Sequence, residues 1–212
     1  MSNLGLGNLI SLKRRLLPAD KLTSTTWDTL VTLIGKGVAA AFDRHCNRKF
    51  ERDTAAVDTF TADRAHWLLN RFPVESIASI TQQDDLTAGY VSLGAVASVA
   101  QNWQANTGII QFGGIMGTHL SQVRVTYSGG YWFETSEAEN TTQPAGSTLL
   151  PEDVREAWML QAKHAWSSLD KLGLDLARNP SDATSATPPM EAIKLLTGVK
   201  EMLAPHLRYQ IT

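Results

Sequence analysis

The chain has 212 residues, 19 Lys+Arg against 21 Asp+Glu, one Cys, 43% hydrophobic residues and 19% charged ones. At roughly 100–200 residues per domain this is one domain or one and a half, long enough to bury a core without covalent staples. A lone cysteine excludes an intramolecular disulfide framework and a Cys-based zinc ribbon, a net charge of −2 gives no global attraction to nucleic acid, and no apolar run approaches the ~20 residues of a membrane span.

The first residues lack the charged lead, apolar stretch and small-residue cleavage site of a signal peptide, so an intracellular, non-membrane protein is expected. Leu9, Leu12 and Leu16, with Lys13, Arg14 and Arg15 between them, predict a short amphipathic helix over 9–17, stopped by Pro18. Trp27, Leu30, Val31, Ile34, Val38, Ala41 and Phe42 recur at three- and four-residue steps and predict a longer second helix. Thr23, Ser24, Thr25 or Thr26 is expected to supply its N-cap oxygen. Gly35 and Gly37 each cost up to ~1 kcal/mol against Ala inside a helix, and mark a close helix contact, a bend or a break.

After Asn47 the pattern turns from helical to alternating. Strands are predicted over 57–61, 67–69, 74–81, 90–93, 108–112 and 122–127. In the last, Val123, Val125 and Tyr127 share one face while Arg124 and Thr126 share the other. No helix-length crossover separates these strands, so an antiparallel sheet or small sandwich is expected. Residues 134–148 are too polar to bury and read as a loop.

Pro151, Glu152 and Asp153 open another helix, with proline in the first turn and carboxylates at the positive end of the dipole. Val154, Trp158, Ala165, Leu169 and Leu172 form one stripe on it, whereas Met159, Leu160 and Trp166 fall outside, which calls for more than one neighbour, another copy of the chain among them. Gly173 suits its end. A Ser/Thr/Pro-rich linker over 179–189 precedes a last helix over 191–203, and the tail from His206 to Thr212 is expected to have no fold of its own. The fold class is therefore α+β: a helical bundle, made of the long helix of the N-terminal half and the C-terminal helices, with an inserted antiparallel β-sheet or small β-sandwich and a mobile C-terminal arm. Its expected parts are helices over 1–50, the β region over 51–133, a polar loop over 134–150, a helix completing the bundle over 151–173, a linker over 174–190, and a helix with docking arm over 191–212.

Chemistry-bearing residues are sparse. Asp43, His45 and Cys46 are three reactive types within four residues, but neighbours on a helix point ~100° apart, so a capped helix end is the simpler reading. His45, His66, His119, His164 and His206 stand singly, without the spacing of a metal site. Gly5-Leu6-Gly7 lacks the strand before it and the lysine after it that a phosphate loop needs, and Asp84-Asp85 sits in a plain turn. No catalytic residue, metal or cofactor is expected. Lys13, Arg14 and Arg15 form the one dense basic run, a solvated face or a contact for DNA phosphates. A competing reading makes the β region a ligand-binding module that uses Trp103, Tyr131 and Trp132.

One resemblance runs through the chain in order. It is carried by 27–34 (WDTLVTLI) and the helix exit 42–50 (FDRHCNRKF), by 68–77 (LLNRFPVESI), by 123–131 (VRVTYSGGY), by 150–157 (LPEDVREA) and by 199–208 (VKEMLAPHLR). This order resembles the head-tail connector, or adaptor, family of tailed bacteriophages, the gp6-like head-completion proteins. The resemblance implies a homo-oligomeric ring, twelve copies by expectation, beneath the portal protein of a DNA-filled head. Such a ring completes the head, lets double-stranded DNA pass and offers a platform to a tail or head-closure (stopper) protein. It also implies a place in the virion at the head-tail interface, reached from the host cytoplasm during assembly. Leu203, Leu207, Arg208 and Tyr209 are then the expected portal-binding anchors, since aromatic, arginine and large apolar groups dominate interface energetics. Trp27, Leu30, Ile34, Trp158, Met159 and Trp166 are the expected contacts between neighbouring copies.

Overall fold

In the computed structural model, which describes residues 4–84, 89–94, 100–112, 117–118, 120–134, 142–171 and 193–208, the chain divides into two units. One comprises residues 1–46, 133–142 and 150–207, the other residues 47–132, 143–149 and 208–212.

The first unit is helical. Helix α1 (Leu9–Leu16) starts where Asn8 Oδ1 accepts the Ser11 N–H at 2.7 Å, a side-chain cap. After Pro18 comes a short 3-10 turn over Ala19–Lys21. Helix α2 (Asp28–Cys46) begins later than the Thr/Ser cluster before it. Its first hydrogen bond runs from Val31 N to Trp27 O at 2.9 Å, so Trp27 holds the cap position and the four candidate hydroxyls stand outside it. Gly35 lies in the unbroken helix and marks a close contact. A Cβ there would stand 2.7 Å from Leu4 Cδ2 and 3.2 Å from Trp158 Cζ2.

Helix α3 (Glu152–Lys171) is the element the others share: α1, α2 and the last helix all pack on it. Its buried residues are Val154, Ala157, Trp158, Met159, Gln161 and Ala162; of the predicted stripe Val154 and Trp158 are among them, Ala165 is half-buried, and the side chains of Leu169 and Leu172 lie outside what is described. Trp158 is fully buried, and its Nε1 donates to Gly35 O at 3.0 Å. The last helix, α4 (Thr197–Leu203), is shorter than the predicted 191–203. Leu195, Val199 and Leu203 are buried, and a 3-10 turn over Ala204–His206 follows. Of the tail from His206 onward, expected to have no fold of its own, His206 closes this 3-10 turn, and Leu207 and Arg208 follow without regular structure. Residues 209–212, Gly173 and the linker 174–190 lie outside the described residues.

The second unit is β-rich. Strands β1 (Asp53–Thr61), β2 (His66–Leu68), β3 (Val74–Gln83), β4 (Val91–Ser92), β5 (Ala100–Gln104), β6 (Ile109–Phe112) and β7 (Gln122–Gly129) form two antiparallel sheets. Their orders are β1-β7-β3-β4 and β2-β6-β5. Registers such as Phe60 opposite Val123 and Trp67 opposite Ile110 bring apolar residues together. Val123, Val125 and Tyr127 are fully buried and Arg124 is exposed, as the alternation requires. Trp67, Leu69, Ile110 and Phe112 from one side and Ile80, Val123, Val125 and Tyr127 from the other make one core. Strand β5 carries no signal in the alternation and was not expected. Two further short strands, β8 (Tyr131–Trp132) and β9 (Thr148–Leu149), pair parallel, where a loop over 134–150 and a purely antiparallel arrangement were expected. The chain enters β8 through Gly130 at φ 97°, where a Cβ would stand 2.5 Å from Glu51 O, so only glycine fits.

Candidate interaction surfaces

The residues expected to touch partners fall into two groups. Ile34, Trp158 and Met159 are buried in the helical unit itself, which corrects their assignment to a contact between copies: the apolar stripes of α1, α2 and α3 are spent on one another. Trp27 and Trp166 are half-buried and meet edge to face with centroids 5.8 Å apart, and Leu30 is also half-buried. Leu203 is likewise fully buried, so it is a core residue and not a docking anchor as placed. Leu207 is half-buried, and Tyr209 lies outside the described residues.

Polar contacts hold residues 194–208. Gln161, buried on α3, accepts the Leu196 N–H at 2.9 Å with Oε1 and donates to Lys194 O at 3.2 Å with Nε2. Its amide behaves as one more peptide group and fixes the approach to α4. His206 Nε2 lies 2.8 Å from Asp153 Oδ2. In the β unit Arg208 donates to Asn47 O, Leu68 O and Asn70 Oδ1. Burial holds its pKa below the ordinary arginine value, with the Asp58 charge acting the other way.

The densest polar arrangement sits on β1 and β7. Asp58 Oδ2 accepts the Asn70 N–H and the Tyr127 hydroxyl, both at 2.7 Å, and Asp58 Oδ1 accepts Asn70 Nδ2 at 2.8 Å. The Tyr127 oxygen in turn accepts the Arg71 N–H at 2.9 Å. Burial first, then the Asp58 charge and hydrogen bond, push the Tyr127 pKa well above the ordinary tyrosine range. Each of these groups has a hydrogen-bond partner, and two of the bonds hold backbone N–H groups, so the cluster organises the chain around residues 70 and 71. Nearby, buried Arg48 lies 3.4 Å from the Phe72 ring centroid and donates to Phe72 O, and Arg52 forms a two-point contact with Glu75 at 2.6 and 2.8 Å. Sequence pattern missed Asp58 and Gln161. Gln161 did leave a signal, a polar residue in phase with Val154, Ala157 and Trp158.

The basic run of α1 does not form one face. Lys13 is buried, its Nζ 2.6 Å from Asp28 Oδ1 and 2.7 Å from Ser24 O, which corrects its expected contact with DNA. Arg14 and Arg15 are exposed, and Arg15 pairs with Glu156 at 2.7 Å. The aromatic trio of the ligand-binding reading is spread over two strands, β5 and β8. Tyr131 is buried against Phe50 and Trp132 is half-buried on β8, while Trp103 is exposed on β5. Cys46 is fully buried, and Asp84 is a turn residue accepting from Gln82, whereas Asp85 and His119 lie outside the described residues. Among the described residues, no three His, Cys, Asp or Glu side chains converge as a metal site, and no helix is long and apolar enough to cross a membrane.

No family profile matches the sequence, and no curated protein matches it. Solved structures do. A chain in the virion of a native gene transfer agent particle superposes with a TM-score of 0.58 at 13% identity, over 96% of this chain and 90% of that one. A chain in the neck of an empty gene transfer agent particle, computed with C6 symmetry, gives 0.55 at 15% identity over the same shares. The fold is theirs. At such identity the likeness is one of fold and fixes no residue's role.

Proposed function

We propose that this chain is a structural component of the neck of a phage-like particle, acting as the head-tail adaptor. In this reading copies form a ring of twelve under the portal, complete the head, let DNA pass and give the tail or stopper protein its platform. The observation that carries it is the fold shared over 96% of the chain with chains of gene transfer agent particles, one of them a neck. The ordered motifs from Trp27 to Arg208 point the same way independently. A twelve-membered ring contains the sixfold axis used for that neck, and a head-to-tail contact repeated by rotation closes without free ends.

The reading gives the chain no reaction to perform. Its support is that the buried Cys46 presents no thiol to solvent and that the Asp58–Tyr127 cluster is saturated. Leu207 and Tyr209 keep the docking role the resemblance gives them, Leu203 does not, and Trp27, Leu30 and Trp166 remain candidates for contact between copies. Electron microscopy of the chain mixed with the portal protein of its own particle tests the proposal. A ring coaxial with the portal is expected, and portals that stay bare under saturating chain would overturn it.

A further inference from the structure

Two large apolar side chains of the helical unit are exposed among its described residues, Leu33 on α2 at 52% and Leu160 on α3 at 39%. Each lies within an exposed stripe at three- and four-residue spacing. On α2 the stripe is Thr29, Leu33, Lys36, Ala40 and Arg44; on α3 it is Glu152, Glu156, Leu160, Lys163 and Ser167. The first carries positive charge beyond its leucine and no acid. The second is acidic before its leucine and basic after it.

We infer that the outer stripe of α2 docks antiparallel on the outer stripe of α3 of a second copy of this chain. This rests on the ring reading and adds the surface that joins the copies. With Leu33 set against Leu160, Lys36 lies about 4.5 Å along its axis and Glu156 about 6 Å along the other, so the two meet. Ala40 and Arg44 then fall beside Glu152 and Asp153, and Thr29 falls beside Lys163. The parallel alternative puts Lys36 against Lys163 and leaves Glu156 facing a threonine, which like-charge repulsion disfavours. Pairing α3 with α3 also matches Glu156 to Lys163, but leaves Leu33, Lys36 and Arg44 in water.

Lys36 and Arg44 make no ion pair among the described residues, so they bring uncommitted charge to the contact. Glu156 is bonded to Arg15, but both partners are about half exposed, at 54% and 44%, and such a pair is readily exchanged. The contact is heterologous, using different patches on the two copies, which is the kind that rotation closes into a ring. A single helix pair is small; repetition around the ring supplies avidity.

Disulfide trapping tests this. A Leu33→Cys chain and a Leu160→Cys chain, mixed at high concentration and oxidised, are expected to give the mixed dimer in excess over both homodimers. Adding Lys36→Glu to the first chain should slow trapping about tenfold, and adding Glu156→Lys to the second should restore it. Circular dichroism of each variant checks that these exposed changes leave the helices intact. Absence of the mixed dimer overturns the inference, as does an excess of Leu160→Cys homodimer, the mark of α3 on α3. A failed trap beside an intact ring on the portal removes this surface and leaves the neck reading standing, whereas a bare portal removes that reading itself.

Discussion

Trp158 in the helical unit and Tyr127 in the β unit are both fully buried, both aromatic and both carry one polar atom, yet the chain accommodates them by opposite means. Around Trp158 the solution is shape. Gly7 and Gly35 leave out the side chains that would collide with the indole, and a single hydrogen bond to Gly35 O suffices. Around Tyr127 it is satisfaction of polar groups. Its oxygen stands between the Asp58 carboxylate, to which it donates beside Asn70, and the Arg71 N–H, from which it accepts. The difference follows from the elements. Helices bond their own backbone internally, so what limits their packing is volume. Where a sheet meets irregular chain, as at residues 69–73, orphan backbone groups are what must be resolved.

Trp158→Ala breaks the helical side of this contrast. It should cost about 3–5 kcal/mol, because the glycines cannot refill the cavity. Equilibrium denaturation followed by far-ultraviolet circular dichroism measures it, and a loss under 1 kcal/mol would mean the socket is not what holds the helices.

Tyr127→Phe breaks the β side with the loss of one oxygen, leaving Asp58 and the Arg71 N–H each short of a partner. About 1–3 kcal/mol is expected. The same residue makes a pH test. Its folded pKa is raised above the unfolded value of 10.0, so its stabilisation is complete below that pH and is lost as pH rises beyond it. The wild-type chain should therefore lose stability more steeply above pH 10 than Tyr127→Phe does. Parallel slopes would contradict the buried hydroxyl.

Gln161→Ala sharpens the contrast, since it removes a polar clasp from the unit that otherwise depends on shape. About 1–2 kcal/mol is expected, felt locally: hydrogen exchange at 195–203 should quicken while the sheets stay protected. The smallest effect belongs to Arg15→Ala. Its pair with Glu156 is exposed on both sides, so denaturation midpoints should move by no more than about 0.5 kcal/mol.

What could be read in advance was what local pattern determines. The α1 repeat, the α2 repeat and the alternation of β7 each encode which side of an element is buried, and the structure follows them. Pattern does not encode who covers that side. Trp158, Ile34, Met159 and Leu203 were apolar residues in search of a neighbour, and the neighbour proved to be another helix of the same unit. Lys13 read as part of a basic face until Asp28, on the next helix, drew it inside. The β8–β9 pair is two residues a side, parallel and far apart in sequence, too little to leave a periodic trace. The likeness to known particle chains lies in the path of the backbone, with 13–15% identity to betray it.

The Gln161 amide has an engineering consequence. Because it grips the Lys194 carbonyl and the Leu196 N–H from one point on α3, a single side chain sets where α4 begins. Exchanging it for glutamate keeps the acceptor for Leu196 and removes the donor to Lys194, so the grip could be tuned one atom at a time.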